Sequence, residues 1–145
     1  MEFIENMYGA YAKLLIKSDL NIEKLGHKLK EKLGLSNLRI ENNEYEPYNL
    51  VVYAEVLGFE ITLTEFKAEK EWVDYSYILE VITSDSFEEI ANGHMHDISL
   101  WMAHYIAITC GVTVGVLDFS KEAGWTFCRN KVTKKLEINR VGSEN

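Results

Sequence analysis

Proline occurs once and cysteine twice among 145 residues, and each scarcity excludes something. Two cysteines, Cys110 and Cys128, with no Cys-x-x-Cys spacing form neither a disulfide framework nor a zinc pattern. Cys110 closes an apolar run and Cys128 follows an aromatic one, so both read as buried, reduced thiols. One proline and nine glycines leave no low-complexity or disordered tract, and no internal repeat is visible. The longest uncharged apolar run, Ile98 to Leu117, is broken by Ser99, His104, Thr109 and Gly111 and does not read as a membrane span. The first residues, Met1 to Asn6, lack the basic segment and apolar core of a secretory signal. These absences lead us to expect a cytoplasmic protein that makes no use of a membrane.

Basic residues are scarce too, and unevenly so. The net charge is −8. Residues 1–40 carry seven Lys/Arg and five Asp/Glu, residues 101–145 six and four, but residues 41–100 only two against fourteen. A surface of that sign makes nucleic acid a poor partner, because phosphate binding needs a basic footprint. It suits a basic protein, whose encounter it would speed.

What is present is enough for one domain, assigned to residues 1–141, with 142–145 set aside as a tail. Hydrophobic residues make up 47% of the chain, which supports a core without staples. Tyr8 to Lys17 alternates as a strand does, with Ala10, Ala12, Leu14 and Ile16 on one side. Ser18 to Asn21 are capping residues, and Ile22, Leu25, Leu29 and Leu33 then recur at helical spacing. Gly34 stands where a left-handed C-cap belongs. Leu38 to Asn42 reads as a short strand. Leu50 to Phe66 is β-prone, with Gly58 turning a hairpin or marking a bulge. Trp72 to Thr83 alternates Tyr75, Tyr77, Leu79 and Val81 against polar neighbours, and should pair antiparallel with Phe59–Thr64. Thr83 to Ile90 begins with capping residues and suggests a short helical turn. A second helix from Ile98 to Cys110 ends at Gly111 and leads into a strand, Val112 to Leu117. Trp125–Cys128 and Leu136–Ile138 flank the basic loop from Arg129 to Lys135 and read as two further strand pieces. The order implies an α+β domain: a ferredoxin-like, split-βαβ sheet with two helices on one face and a C-terminal β extension. The opposite face should be partly open to water.

Three of the four histidines, His94, His96 and His104, fall within eleven residues. Converging ligands are what a metal needs. His104 lies eight residues beyond His96, roughly 12 Å along an ideal helix axis, so the three cannot meet unless the entry loop folds back. The helix is apolar nearly all round, which predicts a buried helix with His104 as a hydrogen-bonded core residue. Asp97 is expected as its N-cap, and His94 and His96 as a polar turn. No metal or other cofactor is therefore expected. Catalysis by Glu88, Glu89 or Asp97 beside His94 or His96 is the chemical alternative. No G-x-S-x-G and no glycine-rich phosphate loop accompanies it.

The acid-rich stretch Glu41-Asn-Asn-Glu-Tyr-Glu46 and the acidic turn Ser84-Asp-Ser-Phe-Glu-Glu89 stand beside the tracts Val56–Leu63 and Asp97–His104. Together they give a small acidic α+β domain that resembles the bacterial immunity proteins of polymorphic toxin and contact-dependent growth inhibition systems. That resemblance implies no catalysis. It implies a tight complex with one cognate toxin domain, a basic protein of nuclease type. These proteins share no common motif, so the contact residues are taken from charge and aromatic content instead. They are Glu44, Tyr45, Glu46 and Tyr48 in one loop, Glu69 and Glu71 in a turn, and Asp85, Glu88 and Glu89 before the histidines. Acidic groups would steer the encounter and tyrosines would anchor it. A third possibility is a housekeeping subunit or small-ligand domain, which predicts a self-associating sheet face or a pocket near Trp101.

Overall fold

The structure is a computed structural model, and it describes residues 9–42, 50–67, 72–84, 95–118 and 123–142. Among the described residues, nine strands form one sheet. They are β1 (Gly9–Lys17), β2 (Ser36–Asn42), β3 (Leu50–Val56), β4 (Phe59–Glu65), β5 (Tyr77–Thr83), β6 (Met95–Asp97), β7 (Thr113–Asp118), β8 (Ala123–Arg129) and β9 (Leu136–Val141). Among the described residues two helices accompany them, α1 (Ile22–Leu33) and α2 (Ser99–Cys110). The strand order is β2-β3-β4-β5-β1-β7-β8-β9, and β6 lies parallel beside β1. Every other neighbouring pair is antiparallel.

The protein is thus α+β, but richer in β than a ferredoxin-like sheet. Alternating directions make β1 and β2 parallel, with three strands between them. By the same count β5 and β7 are parallel, with β1 between them.

α1 forms for the reasons the spacing gave. Asn21 Oδ1 accepts from the Lys24 N–H at 2.9 Å, Gly34 closes the helix at φ 66°, and Ile22, Leu25 and Leu29 are buried. α2 ends in the same way at Gly111, φ 67°. Leu25 and Leu29 of α1 share one core with Ala103, Ile106 and Ala107 of α2 and with Leu14, Leu63, Leu79 and Val114 of the sheet. Both helices therefore lie on one face.

The opposite face carries a smaller cluster, Leu15, Trp72 and Tyr75, with Phe66, Ile78, Leu117 and Val141 packed against it. Here the strand read from Trp72 begins only at Tyr77. Trp72 opens a 3₁₀ turn instead, and the turn folds its indole back over β7 and β8. Gly115 leaves room for that ring, since a Cβ there would run into it, and Gly124 lies against both the ring and the Val116 carbonyl, which a Cβ would meet first. Gly58 makes a two-residue hairpin and not a bulge. Leu57 and Gly58 both have positive φ, 46° and 83°, as the strand twist demands of a tight hairpin.

Candidate functional site

The site begins where the sheet divides. One edge of β1 pairs with β6 through Gly9–Tyr11 and with β7 through Leu15–Lys17. Between the two, α2 takes over the hydrogen bonding. Ile98 N–H donates to the Tyr11 carbonyl at 2.8 Å. Lys13 N–H donates to Ser99 Oγ at 3.0 Å. Ser99 is the buried polar side chain among the described residues, and this bond explains its burial. Asp97 does serve the helix start, accepting from Ser99 N–H at 2.9 Å, but from within β6 and one residue before the cap position at Ile98.

α2 is not the wholly buried helix its composition suggested. Ala103, Ile106, Ala107 and Cys110 face the core, while Leu100, Trp101, His104, Tyr105 and Ile108 face outward. Trp101 is 65% exposed and Tyr105 47%. Their rings stack at 6.2 Å and 9°, one helical turn apart. His104 is exposed, which corrects its reading as a core histidine. The physical reason lies in the architecture. A helix laid on one face of a single sheet is covered on one side only, so an apolar helix there must show apolar groups to water.

The sheet continues past the helix. On the helix side of β8 and β9, Trp125, Ile138 and Arg140 extend the exposed patch, and Phe127 floors it. A cleft of about 850 Å³ runs between the start of α2 and these strands, lined among others by Asp97, Ser99, Trp101, Asp118, Trp125 and Arg140. A shallower apolar hollow of about 450 Å³ continues it past Leu100, His104, Phe127 and Ile138. Arginines mark both ends of this shelf. The Arg140 guanidinium lies over the Trp125 ring at 5.4 Å. Arg129 Nη1 donates to the Ile108 carbonyl at 3.1 Å, at the C-terminus of α2.

On the other side, the open face of the meander is acidic. Glu55 and Glu60 stand directly opposite each other, and Glu80 lies between Lys13 and Thr62 in the next row. Arg39 sits over the Tyr53 ring at 5.3 Å.

The contact residues expected from the sequence, Glu44, Tyr45, Glu46, Tyr48, Glu69, Glu71, Asp85, Glu88 and Glu89, all lie outside the described residues, as does His94. The strand ends that flank them are described. Asn42 pairs with Leu50, and Glu65 with Tyr77, at one end of the sheet. Thr83, which leads into residues 85–94, pairs with Phe59 at the opposite end. His96 is in β6, opposite Ala10, and not in a turn. Among the described residues, no three His, Cys, Asp or Glu side chains converge as metal ligands would. Cys110 is buried and Cys128 half-buried, both as free thiols.

No family model, no curated protein and no solved structure matches the chain.

What sequence reading missed is the shelf. Trp101 and Tyr105 belong to the helix expected to be buried, Trp125 and Ile138 are read only as strand residues, and Arg140 falls beyond the expected strand piece, which the structure extends to Val141. The signal was available: two helices expected on one sheet face, one of them with no polar side.

Proposed function

We propose that the protein works by occupying another protein's surface, as an immunity-type inhibitor of a cognate toxin domain acting in the cytoplasm, without chemistry of its own. The observation that carries this reading is the exposed aromatic shelf formed by Leu100, Trp101, Tyr105 and Ile108 of α2 with Trp125 and Ile138 of the sheet. Large exposed apolar patches on a small domain mark contact sites, and aromatic residues with arginine supply most of the binding energy at such sites. The net charge of −8 supports a basic partner by speeding encounter. Parallel β1 and β2, with α1 as the connection between them, support reading the scaffold as an enlarged ferredoxin-like sheet that holds the shelf rigid.

The test is co-expression with the toxin domain encoded beside the gene. The protein should restore growth and form a one-to-one complex. Trp101→Ala with Tyr105→Ala should weaken that complex by at least about a hundredfold, the loss of roughly two anchor side chains. Absence of both protection and complex rejects the reading.

A second reading has its own observation. The cleft beside Trp101 is of a size that takes small ligands. A metabolite that raises the melting temperature, and loses that effect in Trp125→Ala, would favour a ligand-binding domain.

A further inference from the structure

We propose that the shelf pairs with a second copy of the chain, each α2 seated antiparallel in the cleft of the other. The inference goes beyond the toxin reading and does not rest on it. Three observations lead there. First, α2 has no polar side, yet its own sheet covers only one of its sides. A helix apolar all round belongs in an interior, and Leu100, Trp101, Tyr105 and Ile108 stand exposed instead. Second, there is a place for another helix beside it. The cleft and the hollow follow α2 from Asp97 to His104, with Trp125, Phe127 and Ile138 beneath. α2 covers these strands only in part, since Trp125 is 38% exposed and Ile138 47%. A second α2 laid there keeps its buried side on its own sheet and turns its Trp101–Tyr105–Ile108 stripe to the β8 and β9 it has joined. A two-fold axis then covers the first α2 in the same way. Third, the two ends of the shelf differ in charge. Asp97, Asp118 and Arg140 line the cleft at the start of α2, two carboxylates against one guanidinium, the last two residues each already engaged in an interaction. At the other end Arg129 meets the Ile108 carbonyl, and the hairpin after it carries Lys131, Lys134 and Lys135. Glu137 at that end accepts from Asn130 Nδ2 at 2.8 Å.

Antiparallel pairing sets the acidic end of each shelf beside the basic end of the other, twice over, and opposes the two helix dipoles. It leaves the acidic face of the meander, with Glu55, Glu60 and Glu80, on the far side of each sheet from the second copy. The axis passes beside His104, the exposed residue midway along α2, so each His104 faces its own copy. The 12 residues of α2 run about 18 Å, and the helix with two strands spans roughly 20 Å, a footprint on the order of 400 Å². Interfaces of that size are small and bind in the micromolar range. The toxin domain of the functional reading would then displace the second copy from the shelf.

The experiment is sedimentation equilibrium of the full chain across a concentration series, at low salt. Wild type should pass from monomer to dimer and no further. His104→Arg and His104→Glu each set a like charge against itself across the axis, and each alone should weaken the dimer at least about tenfold. Mixed in equal amounts, the two variants should pair with each other at least as tightly as wild type does with itself. Ile138→Lys, on the exposed face of β9, should also weaken the dimer, and stands in should a His104 variant fail to fold. Lys131→Gln with Lys135→Gln fixes the direction: antiparallel copies lose attraction and the dimer weakens, whereas copies paired head to head would lose repulsion and tighten. A wild type that stays monomeric throughout, a dimer untouched by either His104 variant, or a mixture that does not pair overturns the proposal. So does a lysine variant that dimerises more tightly, or association that continues past the dimer. A monomeric wild type that still forms the toxin complex overturns self-pairing alone and keeps the functional reading. A dimer with the expected variant pattern and no toxin complex does the reverse.

Discussion

Cys110 and Cys128 behave differently because only one is walled in. Burial pushes the Cys110 thiol up to about 11, and Lys28 and Lys32 offset this only in part. Burial likewise pushes the Tyr75 hydroxyl up to about 12, with Cys128 and Asp74 adding to it. Both groups favour their neutral form in the folded state, so the folded protein holds protons that the unfolded chain has released. Their contribution to stability is therefore complete below the unfolded values of 9.0 and 10.0, and is lost as pH rises toward about 11 and about 12. We expect a urea midpoint that falls steadily above pH 9. In the native protein, a thiol reagent should modify Cys128 first and Cys110 only on unfolding. Ser99 offers a second test at this scale. Ser99→Ala removes the acceptor for Lys13 N–H at the point where the sheet divides, and should cost about 1–3 kcal/mol in chemical denaturation. The burial of Cys110 was legible from the run it closes. The burial of Ser99 was not, because it depends on a bond across 86 positions.

Among the elements, local signals were readable and long-range ones were not. The N-cap at Asn21, the leucine spacing and Gly34 specify α1 without help from the rest of the chain. Alternation specified β4 and β5, and their antiparallel pairing followed. The outward face of α2 could not be read from α2 itself, since every side of it is apolar; which side the sheet covers decides what is exposed. Trp72 could not be placed either, because its site is made by glycines some 40 and 50 residues later. Two variants test these elements. Trp72→Ala empties the cluster over Gly115 and Gly124 and should cost about 3–5 kcal/mol. Trp72→Phe should cost less, because it also removes a buried indole N–H that has no hydrogen-bond partner among the described residues. At the β3–β4 turn, Leu57 is 95% exposed and sits at φ 46°, where a leucine is strained. Leu57→Asn supplies the residue that such hairpins prefer, and should raise stability by about 0.5–1 kcal/mol. A melting temperature that does not rise would show that the leucine makes a compensating contact.

At the scale of the whole molecule, the sheet separates two kinds of surface. The helix side of β8 and β9 is apolar and basic, while the open face of the meander is acidic, with Glu55 directly across from Glu60. Like charges in that position oppose folding by roughly 0.2–1 kcal/mol. Asn37 Nδ2 donates to Glu55 Oε2 at 2.9 Å and relieves part of this cost; Glu60 is the simpler residue to change. If the acidic face serves to draw in a basic partner, one substitution should act in opposite directions on folding and on encounter. Glu60→Gln removes the repulsion, so the melting temperature should rise slightly. It also weakens the field, so association with the proposed basic partner should slow at low salt. The difference should vanish in high salt, where the Debye length falls to about 3 Å, and dissociation should stay unchanged because the shelf lies on the other face. Stopped-flow association of both proteins across a salt series measures this. An on-rate identical to wild type at low salt would remove the acidic face from the mechanism, leaving the aromatic shelf to account for binding by itself.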